Sequence, residues 1–132
     1  MDRLFLDANI LFSAAYRHDA GLASFWSLTK VVLLSSSYAV EEARVNLHDA
    51  EQRTRLMELV GHIQVVPNIL VGPFPAGIHL PEKDRPILLT AIDGRATHLI
   101  TGDKDDFGRF YGRTIAGVLI LPPTTYLKSR RA

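Results

Sequence analysis

Short apolar runs recur along this chain and predict β-strands. They span residues 4–6, 31–34, 63–66, 98–101 and 118–121. Each run is shorter than a typical helix and is rich in Leu, Ile or Val, which favours a strand over a buried helical segment. Runs in which successive residues are all apolar are typical of strands that are covered on both faces, as in parallel sheets flanked by helices.

Between these runs, apolar residues recur at three- and four-residue spacing, which predicts helices. The helical stripes lie within residues 20–29, 39–50, 56–60 and 87–92. Residues 67–81 contain four prolines and two glycines and predict a long irregular connection. Because strands alternate with helices, we expect an α/β fold, a three-layer α/β/α sandwich around a mainly parallel sheet of about five strands.

Length and composition fit a single domain over residues 1–132, with 47% apolar and 22% charged residues. There is no cysteine, which excludes disulfides, thiolate zinc sites and cysteine nucleophiles, so any metal must be held by oxygen or imidazole. The formal charge of +1 does not by itself indicate a nucleic-acid-binding protein. No apolar run is long enough to cross a bilayer and the first residues do not resemble a signal peptide, so we expect no membrane partner and a cytoplasmic location.

Two aspartates come directly after predicted strands. Asp7 follows the run that ends at Leu6, and Asp103 follows the run 98–101 after Gly102. Ligands of open parallel sheets bind at the carboxyl edge, where two such carboxylates meet if their strands are neighbours. Close carboxylates repel unless a proton or a cation neutralises them, and Mg²⁺ prefers oxygen ligands. The simpler interpretation is that each aspartate is a turn residue or a helix N-cap.

Asp84 and Glu42 are further candidates, both on predicted helices. Asp84 precedes Pro86, and proline is tolerated only in the first turn, so Asp84 lies near the start of its helix and on the buried side. Capping is its ordinary role and is compatible with metal binding. The helical periodicity places Glu42 at the border of the buried face and Glu41 in solvent. Glu42 is therefore the better candidate for a pocket, although an ordinary solvated pair of glutamates is the simpler interpretation.

Four blocks of this sequence resemble the PIN-domain family, in the family's order and over nearly the whole chain. They are residues 6–11 (Leu-Asp-Ala-Asn-Ile-Leu), 36–47, 80–87 and 99–107, of which the first and last are the most specific. The resemblance implies a single PIN-like domain that hydrolyses RNA phosphodiester bonds as an endoribonuclease with Mg²⁺ or Mn²⁺ as cofactor. Members of this kind are often the toxin of a VapC-type toxin–antitoxin pair.

The resemblance also implies roles for particular side chains. The catalytic acids are Asp7, Glu42, Asp84 and Asp103; the metal ligands are Asp7, Asp84, Asp103 and Asp105; and Asn9 and Thr101 orient Asp7 and the pocket through hydrogen bonds. Asp106 adds a second acid beside Asp105, so the sequence leaves open which of the two faces the pocket.

The partners expected on this basis are RNA, an antitoxin protein and a second copy of the chain. A homodimer is expected because a small α/β domain builds a long RNA groove by pairing two pockets. The basic residues that are candidates to flank the pocket and attract RNA are Arg17, Arg44, Arg53, Arg55, Arg109, Arg113 and residues 128–131.

Two other classes of protein share parts of this pattern. Residues 102–106 resemble the late acidic loop of haloacid-dehalogenase-like phosphatases, but that chemistry needs Asp-x-Asp after the first strand, and here the second acid is replaced by Asn9. A receiver-like or protein-binding domain that keeps the acids for regulation would need a lysine on the last strand, and the run 118–121 has none. The nuclease is therefore the preferred interpretation.

Overall fold

The computed structural model describes residues 1–131. Its strands are β1 (Asp2–Leu6), β2 (Val31–Ser36), β3 (Gln64–Val66), β4 (His98–Ile100), β5 (Thr114–Ile115) and β6 (Val118–Leu121). Its α-helices are α1 (Ala8–Tyr16), α2 (Ser37–Asn46), α3 (Ala50–Val60), α4 (Arg85–Asp93), α5 (Lys104–Phe107) and α6 (Pro123–Arg131). Three segments are 3₁₀-helical: Gly21–Ser27, Glu82–Asp84 and Gly108–Phe110.

The strands form one sheet in the order β3-β2-β1-β4-β6-β5. All neighbouring pairs are parallel except β5 with β6. In β1, the successive residues Leu4, Phe5 and Leu6 are all fully buried, and since alternate side chains of a strand point to opposite faces, both faces of the sheet are covered. The α/β/α sandwich with a mainly parallel sheet is confirmed, with β5 as a short antiparallel sixth strand at one edge.

Several helix predictions were wrong in their bounds. The stripe at 20–29 is a 3₁₀ helix that ends at Ser27, and the stripe at 39–50 belongs to two helices. The break occurs because the Asp49 side chain accepts a hydrogen bond from the backbone N–H of Glu51 (2.7 Å) and so starts α3 as its N-cap. The connection 67–81 is irregular, as predicted. Within residues 1–131, no helix is both long and apolar enough to cross a membrane.

The order of the strands places a switch point beside β1. From β1 the chain builds β2 and β3 on one side of the sheet, and then returns to build β4, β6 and β5 on the other. Leu6 is in register with Ile100, and the backbone N–H of Asp7 donates to the carbonyl oxygen of Ile100 (3.1 Å). The carboxyl ends of β1 and β4 therefore lie side by side, which is where open α/β sheets bind ligands.

Candidate active site

Asp7 leaves the end of β1 and caps the start of α1. One carboxylate oxygen, Oδ1, accepts from the backbone N–H of Ala8 (2.7 Å). The other, Oδ2, accepts from the Thr101 hydroxyl (2.8 Å) and the Asn9 side-chain amide (3.1 Å). The side chain is nonetheless buried, and burial raises the pKa of Asp7 to about 6. The hydrogen bonds from Thr101 and Ala8 oppose this rise, whereas the negative charges of Glu42 and Asp103 add to it.

Asn9 and Thr101 connect the ends of β1 and β4. The Thr101 hydroxyl, besides donating to Asp7, accepts from the backbone N–H of Asp103 (3.1 Å). The Asn9 side-chain oxygen accepts from the backbone N–H of Gly102 (2.8 Å). A β-carbon at Gly102 would lie 3.3 Å from that oxygen, closer than most such contacts, so the glycine provides room for Asn9. These bonds hold Asp7 and Asp103 at fixed positions relative to each other.

Asp84 occupies the N-cap position of α4 but does not cap it. Its side chain makes no capping hydrogen bond, and its buried Oδ2 has no hydrogen-bond partner within residues 1–131. Burial is the main reason that the pKa of Asp84 is raised to about 7, and the nearby Asp106 carboxylate raises it further. Buried polar atoms are rarely left unpaired, so this oxygen is available for a ligand or a proton.

Asp84 lies in a cluster with Asp103 and Asp106. Each of the three offers a carboxylate oxygen within 4.8 Å of the others. Asp103 is the N-cap of α5, and its Oδ1 accepts from the backbone N–H of Asp106 (3.1 Å), which turns the Asp106 side chain toward Asp84. Asp105, on the same short helix, is exposed and is not part of this cluster. Of the two acids that the sequence left open, the structure brings Asp106 to the others.

Glu42 and Glu41 differ in their surroundings on α2. Glu41 forms an exposed ion pair with Arg44 (2.6 Å). Glu42 is also exposed, but with Asn9 and Phe12 it lines a recess of about 320 Å³ between α1 and α2. Its charge contributes to the raised pKa of Asp7. The structure thus directs Glu42, and not Glu41, toward the carboxyl edge.

Three further side chains lie at this edge that were not predicted from the sequence. The Tyr38 hydroxyl donates to the backbone oxygen of Lys83 (2.8 Å), and the Tyr111 hydroxyl donates to that of Thr101 (2.7 Å). The Lys83 ammonium lies 3.8 Å from Asp106 Oδ2. Burial and nearby acids raise the pKa of both tyrosines. Lys83 was the one that the sequence could have indicated, since it is adjacent to Asp84.

The donor set of this site fits a hard divalent cation. Asp84, Asp103 and Asp106 offer only carboxylate oxygens, which are the ligands that Mg²⁺ and Mn²⁺ prefer. The buried Oδ2 of Asp84 has no hydrogen-bond partner within residues 1–131, and a bound cation would be its partner. The raised pKa values of Asp7 and Asp84 indicate that negative charge is disfavoured here without a counter-ion.

Comparison with known proteins gives a structural similarity but no sequence match. No family model matches the sequence, and no curated protein matches it. Among solved structures, a chain in the crystal structure of VapBC2 from Rickettsia felis bound to a DNA fragment from their promoter superposes with a TM-score of 0.65. The match covers 91% of this chain and 98% of that chain at 15% sequence identity. A similarity at this identity shows the fold, and the fold is a PIN-like α/β/α sandwich.

Proposed function

We propose that this protein is a divalent-metal-dependent endoribonuclease that hydrolyses RNA phosphodiester bonds. The observation that supports it most is the acidic cluster at the switch point, where three carboxylates converge and one buried oxygen of Asp84 has no protein partner within residues 1–131. Mg²⁺ or Mn²⁺ bound there would lower the pKa of a bound water and neutralise charge on the phosphate.

Different residues of the chain bind the cation, orient the Asp7 carboxylate and accept a proton. Asp84, Asp103 and Asp106 hold the cation, and Asp7 completes the site beside them. Asn9 and Thr101 keep the Asp7 carboxylate in one orientation through their hydrogen bonds to its Oδ2. Glu42, which lines the recess beside Asn9, would accept a proton from the attacking water. Asp105 is not proposed as a direct ligand of the cation, because its side chain is exposed and lies outside the cluster.

The test is cleavage of a labelled single-stranded RNA by purified protein. Cleavage should require Mg²⁺ or Mn²⁺ and stop in excess chelator. Asp84→Asn and Asp106→Asn should lower the rate by at least about a hundredfold, because each removes a charged ligand of the cation. The matched control for the second variant is Asp105→Asn, which should retain most of the activity. Undiminished cleavage in chelator, or equal effects at 105 and 106, would contradict the assignment.

We further propose that the nuclease is the toxin of a toxin–antitoxin pair and acts as a homodimer. The structural match to a chain of a VapBC2 complex supports this role through the shared fold. An antitoxin would inhibit by placing a basic side chain against Asp7, Asp84 and Asp103. Arginine suits this task because its guanidinium donates two parallel hydrogen bonds to a carboxylate.

A further inference from the structure

RNA carries a negative charge at every phosphate, so a site rich in carboxylates needs basic side chains beside it to bind RNA. Several arginines that the sequence offered for this purpose are engaged elsewhere. Arg44 pairs with Glu41, and Arg53 and Arg55 donate to backbone carbonyl oxygens next to α3 and α1. A basic side chain that binds RNA at the acidic edge is therefore expected closer to the cluster.

Lys83 is the basic residue that contacts the cluster. Among the ion pairs within residues 1–131, its pair with Asp106 (Nζ to Oδ2, 3.8 Å) is the one that involves an acid of the site. Its side chain is 68% exposed, so the ammonium is accessible to a ligand from solvent. An exposed pair at this distance is weak, and exchanging Asp106 for another anion costs little.

The backbone of Lys83 is held in place although its side chain is largely exposed. The residue lies in the 3₁₀ turn Glu82–Asp84, immediately before the cluster acid Asp84. Its carbonyl oxygen accepts from the Tyr38 hydroxyl (2.8 Å). The turn and the Tyr38 hydrogen bond thus hold Lys83 where its ammonium reaches the acids of the cluster.

We propose that Lys83 binds a phosphate group of single-stranded RNA beside the acidic cluster. This inference rests on the proposed function and names a residue that positions its substrate. An ammonium offers three donors and a compact charge, which suits a phosphate oxygen approached from several directions. The four-carbon side chain of Lys83 lets its ammonium move from Asp106 to a phosphate, while the hydrogen bond from Tyr38 holds the Lys83 backbone in place.

The test measures RNA binding as a function of salt. Fluorescence anisotropy would follow a labelled single-stranded oligoribonucleotide with Ca²⁺ in place of Mg²⁺, for the wild type, Lys83→Met and Lys83→Arg. Losing one phosphate contact should reduce the slope of log K against log salt by about 0.7 and weaken binding about three- to tenfold at roughly 0.1 M KCl. Lys83→Arg should keep the wild-type slope. The matched control is Lys30→Met, at an exposed residue just before β2 and therefore at the amino ends of the parallel strands, which should change nothing.

The outcomes separate this inference from the proposed function. A wild-type protein that binds and cleaves RNA, with an unchanged slope in Lys83→Met, overturns the role of Lys83 alone. The same holds if Lys83→Arg behaves like Lys83→Met, or if the Met variant changes only the affinity for the cation in a calorimetric titration. A wild-type protein that neither binds nor cleaves RNA overturns both.

Discussion

At the scale of single residues, the site is defined by carboxyl groups that the fold removes from water. Asp7 and Asp84 are both buried, although carboxylates are rarely so unless paired. Asp7 is compensated by three hydrogen bonds, whereas one oxygen of Asp84 has none within residues 1–131. This difference indicates that the protein itself orients the Asp7 carboxylate, whereas Oδ2 of Asp84 is available to bind a cation.

Burial of Asp7 has a consequence for the pH dependence of stability. Its pKa is about 6 in the folded protein and near 3.8 when unfolded, so folding favours the protonated form. That contribution is fully present below the unfolded pKa and is lost as the pH rises through 6. In chelator, Asp7→Asn should remove about 2 kcal/mol of the fall in unfolding free energy between pH 4.5 and pH 7.5.

Urea unfolding at the two pH values measures this difference. Asp19→Asn, in the exposed loop after α1, is the control and should behave like the wild type. If Asp7→Asn retains the full pH dependence, Asp7 is not a significant source of it.

Thr101 is expected to act through Asp7. Thr101→Val keeps the shape of the side chain but removes the hydroxyl that donates to Asp7 Oδ2. Because that hydrogen bond lowers the pKa of Asp7, its loss should move the acid limb of the pH–rate profile to higher pH. The single-turnover rate should fall by about tenfold or more, the value of a hydrogen bond to a charged group. Thr101→Ser should restore both, and a profile unmoved in the Val variant would reduce Thr101 to a packing residue.

At the scale of elements, α2 separates two adjacent glutamates by about 100° of helical rotation. Glu42→Gln should lower RNA cleavage strongly, because Glu42 lines the recess beside Asn9. Glu41→Gln should leave the rate near that of the wild type, since Glu41 is engaged with Arg44 away from the recess. The two variants have the same change in charge, so rates measured side by side test the geometry alone. Equal losses would indicate a general effect of charge.

The elements also show how far the sequence could predict this fold. The parallel strands were predictable because each contains a short run of Leu, Ile, Val or Phe, but β5 has two residues and too little pattern to be seen. Helix α1 was missed because its less buried side carries Phe12 and Tyr16, so the sequence shows no clear polar face.

The site was predictable in part for the same physical reasons. Asp7 and Asp103 follow strands, so their position at the carboxyl edge follows from the rules of parallel sheets. Which of Asp105 and Asp106 faces the cluster depends on the register of α5, and a four-residue helix has no periodicity from which that register could be predicted.

At the scale of the whole molecule, the proposed toxin role predicts an effect on growth. Expression of the wild-type chain should slow a bacterial host, and Asp7→Asn should remove the effect while the protein stays folded. Light scattering of the purified protein should show a dimer. A wild-type chain that is harmless when abundant, and monomeric, would contradict the toxin role and favour a housekeeping nuclease.

The switch point beside β1 has a consequence for the order of synthesis. Residues 1–66 contain Asp7, Glu42 and the first three strands, whereas Asp84, Asp103 and Asp106 come later in the chain. Strand β4 must insert beside β1, more than ninety residues after it in sequence, before the two groups of acids meet. A nascent chain on the ribosome, surrounded by messenger and ribosomal RNA, therefore has no assembled site until the residues through Asp106 have been made. The same connectivity that builds the pocket also delays its assembly until β4 and α5 have been synthesised.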